Sequence, residues 1–340
     1  MKKQIKTTTD NTLKQEVSEI PLRPQRLEDY IGQTVIKERV RISIDSAKKR
    51  QKPLDHILFF GPPGLGKTTL AYIIATEMEQ NIRYVMGPSL EKPGDVVSVL
   101  SQLEEKDLLF IDEIHRMNRA AEEVLYSAME DYFVNITIGR EGQNKQIKIN
   151  LPQFTLIGAT TKPGMLSNPL RDRFGMMCRM EYYTNDELKT IAERTCKIMN
   201  LTMDDAGLSI IAKSSRGTPR IANRTIARIR DYAVSRNISA IDEKITKEGL
   251  SVYGISENGL NEADFSILKV LCENNRALGL ETIAALTGED SGTIENVNEP
   301  YLLMSGYIEK TPRGRIITEK GKSILFNTNF SCKNKDDIVL

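Results

Sequence analysis

A glycine-rich stretch that ends in a lysine and two hydroxyl residues is the part of this sequence best suited to chemistry. It reads Gly61-Pro62-Pro63-Gly64-Leu65-Gly66-Lys67-Thr68-Thr69 and fits the pattern G-x-x-x-x-G-K-[ST]. Glycines in this pattern let backbone N–H groups converge on a nucleotide phosphate. Lys67 would reach the β- and γ-phosphates, and the Thr68 hydroxyl would hold Mg²⁺. The alternative is a tight turn that happens to carry a lysine.

The flanking residues have the pattern that such a phosphate site requires. Four apolar residues, Ile57–Phe60, come just before the loop, as a buried parallel strand would. Leu70, Ile73, Ile74 and Ala75 follow at helical spacing. A strand, a glycine-rich turn and a helix in this order favour the nucleotide site over the chance turn.

Two adjacent carboxylates follow a second apolar run, residues 108–111. Asp112 would coordinate Mg²⁺ through water, and Glu113 would polarise the water that attacks the γ-phosphate. Paired acids that merely end a surface strand are the alternative, but their position downstream of a phosphate loop favours catalysis. His115 follows closely and is assigned no role, because a single histidine here is more often structural.

A further predicted strand, residues 154–157, continues into Gly158-Ala159-Thr160-Thr161. Neighbouring parallel strands place their carboxyl ends side by side, where ligands bind. Thr161 is therefore a candidate sensor of the γ-phosphate or of the attacking water. A threonine in an ordinary strand-ending turn is the alternative.

Arginines at two places could contact phosphates. Arg171 and Arg173 flank Asp172, and either could pair with this acid while the other reaches a neighbouring subunit's γ-phosphate. Spacing alone does not choose between them. Farther on, Thr218 is predicted to cap a helix, which puts Arg220 at the positive end of the helix dipole. A cation is unfavourable at this end of the dipole unless an anion offsets it, and a nucleotide phosphate is the obvious candidate.

Length and composition indicate a soluble multidomain protein. At 340 residues the chain exceeds what one core usually supports, and its net charge of +1 leaves nucleic-acid binding to a local patch. No apolar run approaches about 18 residues, so we expect a cytoplasmic protein without membrane contact. The cysteines include no CxxC pair, which fits reduced thiols at Cys178, Cys196, Cys272 and Cys332.

We expect three domains between a flexible segment, 1–20, and a tail, 331–340. Residues 21–182 alternate apolar runs with helical patterns, which is typical of a doubly wound α/β domain. Residues 183–256 have a wholly helical pattern that begins with a capping box, Thr184-Asn185-Asp186-Glu187. At least four buried strands are predicted in the first domain, at 57–60, 82–86, 108–111 and 154–157.

Residues 133–151 interrupt the first domain with a predicted hairpin around the turn 139–145. Its strands alternate apolar and polar residues, so one side of the hairpin is apolar. This side either packs on the parent domain or awaits a partner. It carries Ile136, Ile138, Ile147 and Ile149.

The third predicted domain, 257–330, reads as three helices closed by a hairpin, which suggests a winged-helix module. Proline second and glycine fourth in the turn Thr311-Pro312-Arg313-Gly314 favour a type I turn. Pro300 inside the third helix implies a kink or a later start. The hairpin is basic, with Lys310, Arg313 and Arg315 as candidate DNA contacts; a charged, solvated turn is the alternative.

Together these blocks resemble the RuvB family of AAA+ ATPases, bacterial motors that migrate the branch of Holliday junctions. The likeness spans about residues 20–325 and is more specific than a phosphate loop alone. Besides the loop itself, the matching blocks are Leu22-Arg23-Pro24, Asp29-Tyr30-Ile31-Gly32-Gln33, Leu109-Phe110-Ile111-Asp112-Glu113-Ile114-His115-Arg116, Ala128-Met129-Glu130-Asp131-Tyr132, Gly158-Ala159-Thr160-Thr161, Pro169-Leu170-Arg171-Asp172-Arg173-Phe174-Gly175, Arg216-Gly217-Thr218-Pro219-Arg220 and Thr311-Pro312-Arg313-Gly314-Arg315.

The resemblance implies an α/β P-loop AAA+ large domain, an all-α lid domain and a C-terminal winged-helix domain. It implies a homohexamer that hydrolyses ATP with Mg²⁺ and translocates double-stranded DNA. Such a motor promotes Holliday junction branch migration with RuvA, with the resolvase RuvC also engaged. Its setting is homologous recombination, DNA repair and the SOS response to DNA damage.

Site roles follow from the resemblance by matching position. Arg173 would be the arginine finger that reaches the adjacent subunit, Arg220 the second sensor and Thr161 the first. Lys67, Asp112 and Glu113 would complete the catalytic set. The remaining nucleotide contacts would come from Leu22, Arg23 and Tyr183 on the adenine and ribose side, and from Gly64, Gly66, Thr68, Thr69, Glu130, Asp131 and Tyr132.

The resemblance also favours a partner role for the hairpin isoleucines, because this hairpin corresponds to the family's RuvA-docking insertion. The basic wing corresponds to the family's DNA-contacting hairpin. Lys310 stands where the family usually has an arginine. The lysine keeps the positive charge but lacks the planar guanidinium that makes a bidentate phosphate contact.

Two rival functions are weighed against this one. A protein-remodelling ATPase would carry an aromatic–hydrophobic–glycine pore loop, and the nearest stretch, Tyr84-Val85-Met86-Gly87, has one residue too many. A nucleotide-switched DNA-binding regulator is equally compatible with the winged helix taken alone. Stimulation of ATP hydrolysis by protein substrates would favour the first, and promoter binding without strand movement the second.

Overall fold

A computed structural model of the chain describes residues 22–138 and 145–327. The predicted segment 1–20, the hairpin residues 139–144 and the tail 331–340 lie outside the described residues. Contacts divide the chain into two compact units. The first comprises Met1–Asn200 with Gly217–Ile221, and the second comprises Leu201–Arg216 with Ala222–Leu340.

The first unit is built on a five-stranded parallel sheet with helices, as the sequence predicts. The order of the strands in this sheet is β2 (Ile82–Met86), β3 (Leu108–Asp112), β6 (Thr155–Thr160), β1 (Ile57–Phe60) and β7 (Met176–Arg179). In chain order the elements are α1 (Thr34–Arg50), β1 (Ile57–Phe60), α2 (Lys67–Met78), β2 (Ile82–Met86), α3 (Pro93–Leu100), β3 (Leu108–Asp112), α4 (Arg119–Asp131), β4 (Phe133–Ile138), β5 (Lys145–Asn150), β6 (Thr155–Thr160), α5 (Asn168–Asp172), β7 (Met176–Arg179) and α6 (Asn185–Ile198), with 3₁₀ turns at Gly87–Ser89, Ile114–Arg116 and Pro163–Met165.

The central strands are apolar because both faces of the sheet are covered. Every residue of β6 is buried, and so are most of β1 and β3. Gly158 in β6 suits this crowding, since a Cβ there would lie 3.0 Å from Phe174 and 3.1 Å from Leu58. The sheet therefore forms a rigid platform whose carboxyl edge carries the candidate catalytic residues.

Two expectations about the strands need correction. Ile82–Met86 was expected to be buried, but β2 is half-exposed because it lies at the edge of the sheet. The strand at the other edge, Met176–Arg179, was missed. Edge strands bury less apolar surface, so their sequences carry weaker apolar patterns.

The predicted hairpin is present as the antiparallel pair β4–β5. Its register pairs Val134 with Ile149 and Ile136 with Ile147, which puts the predicted apolar residues on one face. Burial along this face decreases away from the sheet: Val134 is buried, Ile149 packs partly against the core and Ile147 is 38% exposed. The face therefore packs on the parent domain at the end that carries Val134 and Ile149.

The second unit is mostly helical. A two-stranded parallel pair joins β8 to β9, and an antiparallel pair joins β10 to β11. Its elements are β8 (Thr202–Met203), α7 (Asp205–Ser214), α8 (Pro219–Ser235, whose first residues belong to the first unit), β9 (Ala240–Ile241), α9 (Glu243–Val252), α10 (Glu262–Asn274), α11 (Leu280–Thr287), α12 (Ser291–Thr293), a π-helical turn (Ile294–Asn298), α13 (Glu299–Met304), β10 (Ile308–Thr311), β11 (Gly314–Ile317) and α14 (Glu319–Asn327).

Pro300 has the effect expected of a proline in a helical pattern. It lies in the first turn of α13, where its missing N–H costs little, and the π-helical turn comes immediately before it. The predicted third helix is thus split into α12, the π turn and α13.

The wing hairpin has the predicted turn residues at its tip. Neither Pro312 nor Arg313 has a positive φ, which excludes the turn types with left-handed central residues and agrees with type I. Gly314 has φ 129°, and a Cβ there would collide with the carbonyl oxygen of Leu278. The chain at Leu278 pairs with Arg315 through two backbone hydrogen bonds of 2.8 and 2.9 Å. This contact fixes the wing against the helices.

The expectation that all four cysteines are reduced thiols is wrong for at least one of them. Cys178 and Cys196 are free and buried, and burial raises the pKa of each to about 11. Cys272, however, is disulfide-bonded, a pairing that spacing in the sequence cannot reveal. Among the described residues, no helix combines the length and apolar character that crossing a membrane requires.

Candidate nucleotide and DNA sites

The phosphate loop joins β1 to α2 at the carboxyl edge of the sheet. Gly64 and Gly66 have φ values of 81° and 96°, a region in which residues with a side chain are strained. Lys67 is the first residue of α2, and its ammonium donates to the carbonyl oxygens of Gly61 and Pro62, both at 2.8 Å. Thr69 is half-buried in the same helical turn. The loop therefore holds a buried cation at a helix N-terminus.

Burial makes the charge on Lys67 costly. It lowers the pKa of this lysine to about 8, although the carboxylates of Asp112 and Glu113 raise it; the nearby cation of Arg220 lowers it further. A buried ammonium with neutral carbonyl partners is well suited to binding an anion. Nucleotide phosphates fit this cradle.

The candidate metal ligands are brought together by β3 and α2. The Thr68 hydroxyl lies 3.3 Å from a carboxylate oxygen of Asp112, whose other oxygen accepts a 2.9 Å hydrogen bond from the Glu113 N–H. Burial raises the pKa of Asp112. A hydroxyl and one carboxylate are the donors with which nucleotide sites hold Mg²⁺ beside phosphate oxygens. These residues therefore fit the predicted metal.

Glu113 lies next to Thr161, the predicted first sensor. The Thr161 hydroxyl donates to the Glu113 carboxylate at 3.2 Å, and His115 Nδ1 lies 3.2 Å from the same oxygen. His115 Nδ1 is also 2.9 Å from the Thr160 hydroxyl. Glu113 has φ 48°, an uncommon conformation for a residue with a side chain. A cleft of about 550 Å³ lies along Glu113, His115 and Thr161.

Arg220 lies beside the phosphate loop, in the first turn of α8. Its N–H donates to the Gly64 carbonyl oxygen at 3.4 Å, and a Cβ on Gly64 would lie 3.2 Å from the Cβ of Arg220. The Arg220 side chain is exposed. The predicted second sensor is thus brought to the loop while its guanidinium stays accessible.

Arg173 is placed with Glu130 and not with its own phosphate loop. Its guanidinium donates to the Glu130 carboxylate at 2.7 Å and to the carbonyl oxygens of Tyr126 and Pro169 at 3.1 and 2.8 Å. Arg173 and the half-buried Tyr132 line one cleft of about 420 Å³. This cleft shares no lining residue with the one along Glu113.

Two residues close to Arg173 and Glu130 in the sequence, Arg171 and Asp131, take no part in the pair that those two form. Arg171 donates to the side chain of Asn168 and not to Asp172, which was one of the two pairings considered. Asp131, next to Glu130 at the end of α4, is exposed.

The residues predicted on the adenine side are buried or half-buried, and Tyr183 contacts the loop. The Tyr183 hydroxyl donates to the Leu65 carbonyl oxygen at 3.2 Å, and burial raises its pKa to about 12. Leu22 is buried and its carbonyl oxygen accepts from Arg194 at 2.8 Å, whereas Arg23 is half-buried.

Tyr30 is a site residue to which sequence reasoning gave no role. Its hydroxyl lies 3.2 Å from the Leu65 carbonyl oxygen and 3.0 Å from the Tyr183 hydroxyl. A Cβ on Gly66 would lie 2.6 Å from that hydroxyl, so Gly66 is needed for this approach. The signal available was its place in the block Asp29-Tyr30-Ile31-Gly32-Gln33. His115, to which the sequence likewise gave no role, contacts the Glu113 carboxylate.

The three basic residues of the wing have different surroundings. Arg315 is only 11% exposed and pairs with the buried Glu299 at 2.8 Å. Lys310, with 54% of its side chain exposed, pairs with the same carboxylate at 3.0 Å. Arg313 is exposed at the tip. Arg315 therefore faces inward, which its position in the sequence did not indicate.

Three consecutive family descriptions match the chain. Residues 22–180 match the Holliday junction DNA helicase RuvB P-loop domain, residues 183–256 the RuvB AAA lid domain and residues 257–326 the RuvB C-terminal winged helix domain.

Relatives match over most of their length. Proteins named Holliday junction branch migration complex subunit RuvB are 53% identical in Campylobacter hominis, over 92% of both chains, and 52% identical in Leuconostoc mesenteroides, over 89% of this chain and 87% of that one. The solved Thermotoga maritima RuvB Holliday junction branch migration motor is 45% identical, with a TM-score of 0.80, over 90% of this chain and 98% of that one.

The lowered pKa of Lys67 makes nucleotide binding depend on pH. Above about pH 8 the free protein carries a largely neutral Lys67, and phosphates that favour the charged form raise its pKa again, so binding takes up a proton. We expect uptake of roughly three quarters of a proton near pH 8.5 and little near pH 6.5, where Lys67 is already charged. Calorimetry of a non-hydrolysable ATP analogue in buffers of different ionisation enthalpy measures it.

The matched control is Lys67→Arg, whose guanidinium stays charged throughout this range. Binding by this variant should take up no proton at about pH 8.5. Equal uptake by both proteins would show that another group titrates.

Proposed function

Because the chain belongs to the RuvB family, we propose that it is the ATP-driven motor subunit of a Holliday junction branch migration complex. It would translocate double-stranded DNA in homologous recombination and repair. The observation that carries this proposal is the assembly at one sheet edge of the Lys67 cradle, the Thr68–Asp112 pair and the Glu113–Thr161 pair. The family matches support three domains, at 21–182, 183–256 and 257–330.

ATP hydrolysis at this edge would use each group in a separate role. Lys67 and the loop N–H groups bind the β- and γ-phosphates, and Thr68 with Asp112 would hold Mg²⁺, which neutralises phosphate charge when bound. Glu113 polarises the attacking water, and the hydroxyl of Thr161 holds the Glu113 carboxylate in place. Arg220, exposed beside Gly64, would contact the phosphates as the second sensor.

Arg173 would act on the nucleotide of a neighbouring protomer. Its hydrogen bonds lie outside its own phosphate loop: Glu130 accepts from its guanidinium, and Tyr132 lines a separate cleft together with Arg173. A homohexamer brings each such cleft to a neighbour's γ-phosphate, where an arginine stabilises transition-state charge. In this arrangement Glu130, Asp131 and Tyr132 belong to the shared nucleotide site.

The winged helix would engage a duplex arm of the junction through the hairpin tip. Arg313 is exposed there, and Lys310 keeps about half of its side chain exposed while paired. Both suit phosphate contacts, which position a protein on DNA without reading sequence. Arg315 would contact DNA only if its pair with Glu299 opened.

The partners proposed for this motor are RuvA and, within the same assembly, RuvC. The apolar face of the β4–β5 hairpin is the candidate RuvA surface. Its register brings Ile136 opposite Ile147 and Ile138 opposite Lys145, farther along the hairpin than Ile149, which packs partly against the core. An apolar strand face that leaves Ile147 exposed favours a protein partner over solvent.

Branch migration on a synthetic four-way junction tests the function directly. Wild type with RuvA should move the branch in the presence of ATP, whereas Glu113→Gln should lose hydrolysis by about 100-fold or more and stop migration. The variant should still bind a non-hydrolysable ATP analogue, since the carboxylate acts on water. Stimulation of wild type by proteins but not by DNA would instead favour a remodelling ATPase.

Sharing of sites predicts complementation between two inactive proteins. Arg173→Ala should lower the rate of ATP hydrolysis by about 1,000-fold, as removal of an arginine finger does. Mixed with Glu113→Gln, which keeps its own Arg173, it should regain activity at interfaces that combine an intact Glu113 with an intact Arg173. Arg171→Ala, which removes a half-buried arginine bonded to Asn168, is the control and should hydrolyse ATP normally.

Normal turnover by Arg173→Ala rings would contradict the shared site. So would a wild-type rate per protomer that stays constant upon dilution to monomers.

Charge on the apolar hairpin face should weaken RuvA binding. Ile147→Glu should raise the dissociation constant about tenfold or more, because truncating or charging a central interface residue costs more than 1 kcal/mol. Asn135→Glu places the same charge on the opposite, exposed face of the hairpin and should leave the affinity unchanged. Equal weakening by both variants, measured by calorimetry with RuvA, would argue against a specific apolar contact.

A further inference from the structure

Arg216 occupies a junction in the chain. Residues 217–221 belong to the first unit, where Arg220 bonds the phosphate loop, and Arg216 is the last residue of the second unit before them. Arg216 and Gly217 both have positive φ, at 50° and 71°, so the chain turns sharply between α7 and α8. Arg216, four residues before the nucleotide sensor Arg220, is thus held in an uncommon conformation that its surroundings must support.

The side chain of Arg216 is held by the start of the winged helix. Its Nε donates to the Gly259 carbonyl oxygen at 2.6 Å, and its guanidinium pairs with the Asp264 carboxylate. The guanidinium carbon also lies 4.8 Å from the centre of the Tyr301 ring. Gly259 permits this contact, because a Cβ there would lie 2.5 Å from the Ser214 carbonyl oxygen. Three independent contacts therefore fix one guanidinium.

The Arg216–Asp264 pair is buried. The Asp264 side chain is fully buried and that of Arg216 is 12% exposed. One Asp264 oxygen also caps α10 by accepting from the Asn261 N–H at 2.9 Å, and the other accepts from the Asn298 amide at 2.7 Å. Breaking a buried pair leaves an uncompensated charge, so its partners move together.

The contacts continue from Asp264 to the DNA-facing hairpin. Asn298 ends the π-helical turn, and its side-chain oxygen is buried without a hydrogen-bond partner in the described part of the chain. The next residue, Glu299, is buried and holds both Arg315 and Lys310 of the wing. A continuous set of charged and amide contacts thus runs from Arg216 to the strands that present Arg313.

We propose that Arg216 is the positioning residue that couples the nucleotide sensor at Arg220 to the winged helix. This inference rests on the proposed motor function. Movement of residues 217–220 with nucleotide state displaces Arg216 through the backbone. The buried pair with Asp264 passes that displacement to α10, the π turn and the wing, so ATP hydrolysis becomes movement of the DNA-binding hairpin.

The test measures how strongly ATP hydrolysis is coupled to DNA movement, in addition to the rate of hydrolysis. In Arg216→Lys the charge remains but the fork that joins Gly259 to Asp264 is lost. We expect the number of base pairs exchanged per ATP hydrolysed to fall about tenfold. Because the same contacts would couple the two binding sites at equilibrium, the factor by which duplex DNA changes ATP-analogue affinity should also shrink towards one. A purely structural role would leave both ratios unchanged in folded protein.

Arg230→Ala is the matched control, since Arg230 lies on the same helix and pairs with the exposed Asp231. Both ratios should stay at the wild-type value in this variant. Asp264→Asn removes the charge from the other side of the pair and should reproduce the Arg216→Lys result. If Arg216→Lys lowers the unfolding temperature of the protein too far for assay, Asp264→Asn alone tests the coupling role.

The outcomes separate this inference from the proposed function. A wild-type protein that hydrolyses ATP without moving a junction branch would overturn the proposed function. A wild type that migrates the branch, beside folded Arg216→Lys or Asp264→Asn proteins with the wild-type number of base pairs per ATP, would overturn only the coupling role of Arg216.

Discussion

A buried ammonium at the carboxyl edge of a parallel sheet is the constraint on which the rest of the first unit depends. Lys67 has lost water and donates to two loop carbonyls, so its charge is tolerated only where other groups favour it. The carboxylates of Asp112 and Glu113 supply part of that field. Phosphates would supply the remainder. The loop glycines follow from this demand, because the backbone must curve closely around the site.

The order of the strands makes this field possible. β3 lies between β2 and β6, and β6 lies beside β1, so residues far apart in the chain end at one edge. Asp112 and Glu113 come from β3, Thr161 follows β6 and Lys67 follows β1. Their hydrogen bonds hold the carboxylates before any substrate arrives, which is the pre-organisation that phosphoryl transfer needs. Arg173 is fixed elsewhere, by Glu130, as a residue that serves another protomer would be.

The second unit is organised by two buried carboxylates, each paired with an arginine. Asp264 holds Arg216, and Glu299 holds Arg315. Each pair joins segments that are separated in the chain, and the second withdraws Arg315 from the surface of the wing. The basic character of the wing is therefore concentrated at Arg313 and Lys310. Counting charges along the hairpin alone overlooks Glu299, which approaches from the preceding helix.

Local patterns by themselves determined the phosphate loop, the capping box at Thr184, the hairpins and the effect of Pro300, because neighbours in the chain set turns, caps and periodicity. Family blocks added the domain order. Only the tertiary structure decided that β2 lies at an edge of the sheet and that Arg173 pairs with Glu130. It also decided that Arg315 faces inward and that Cys272 forms a disulfide bond. Each of these depends on a partner brought from elsewhere in the chain, and side-chain burial and pairing exist only once distant segments have packed together.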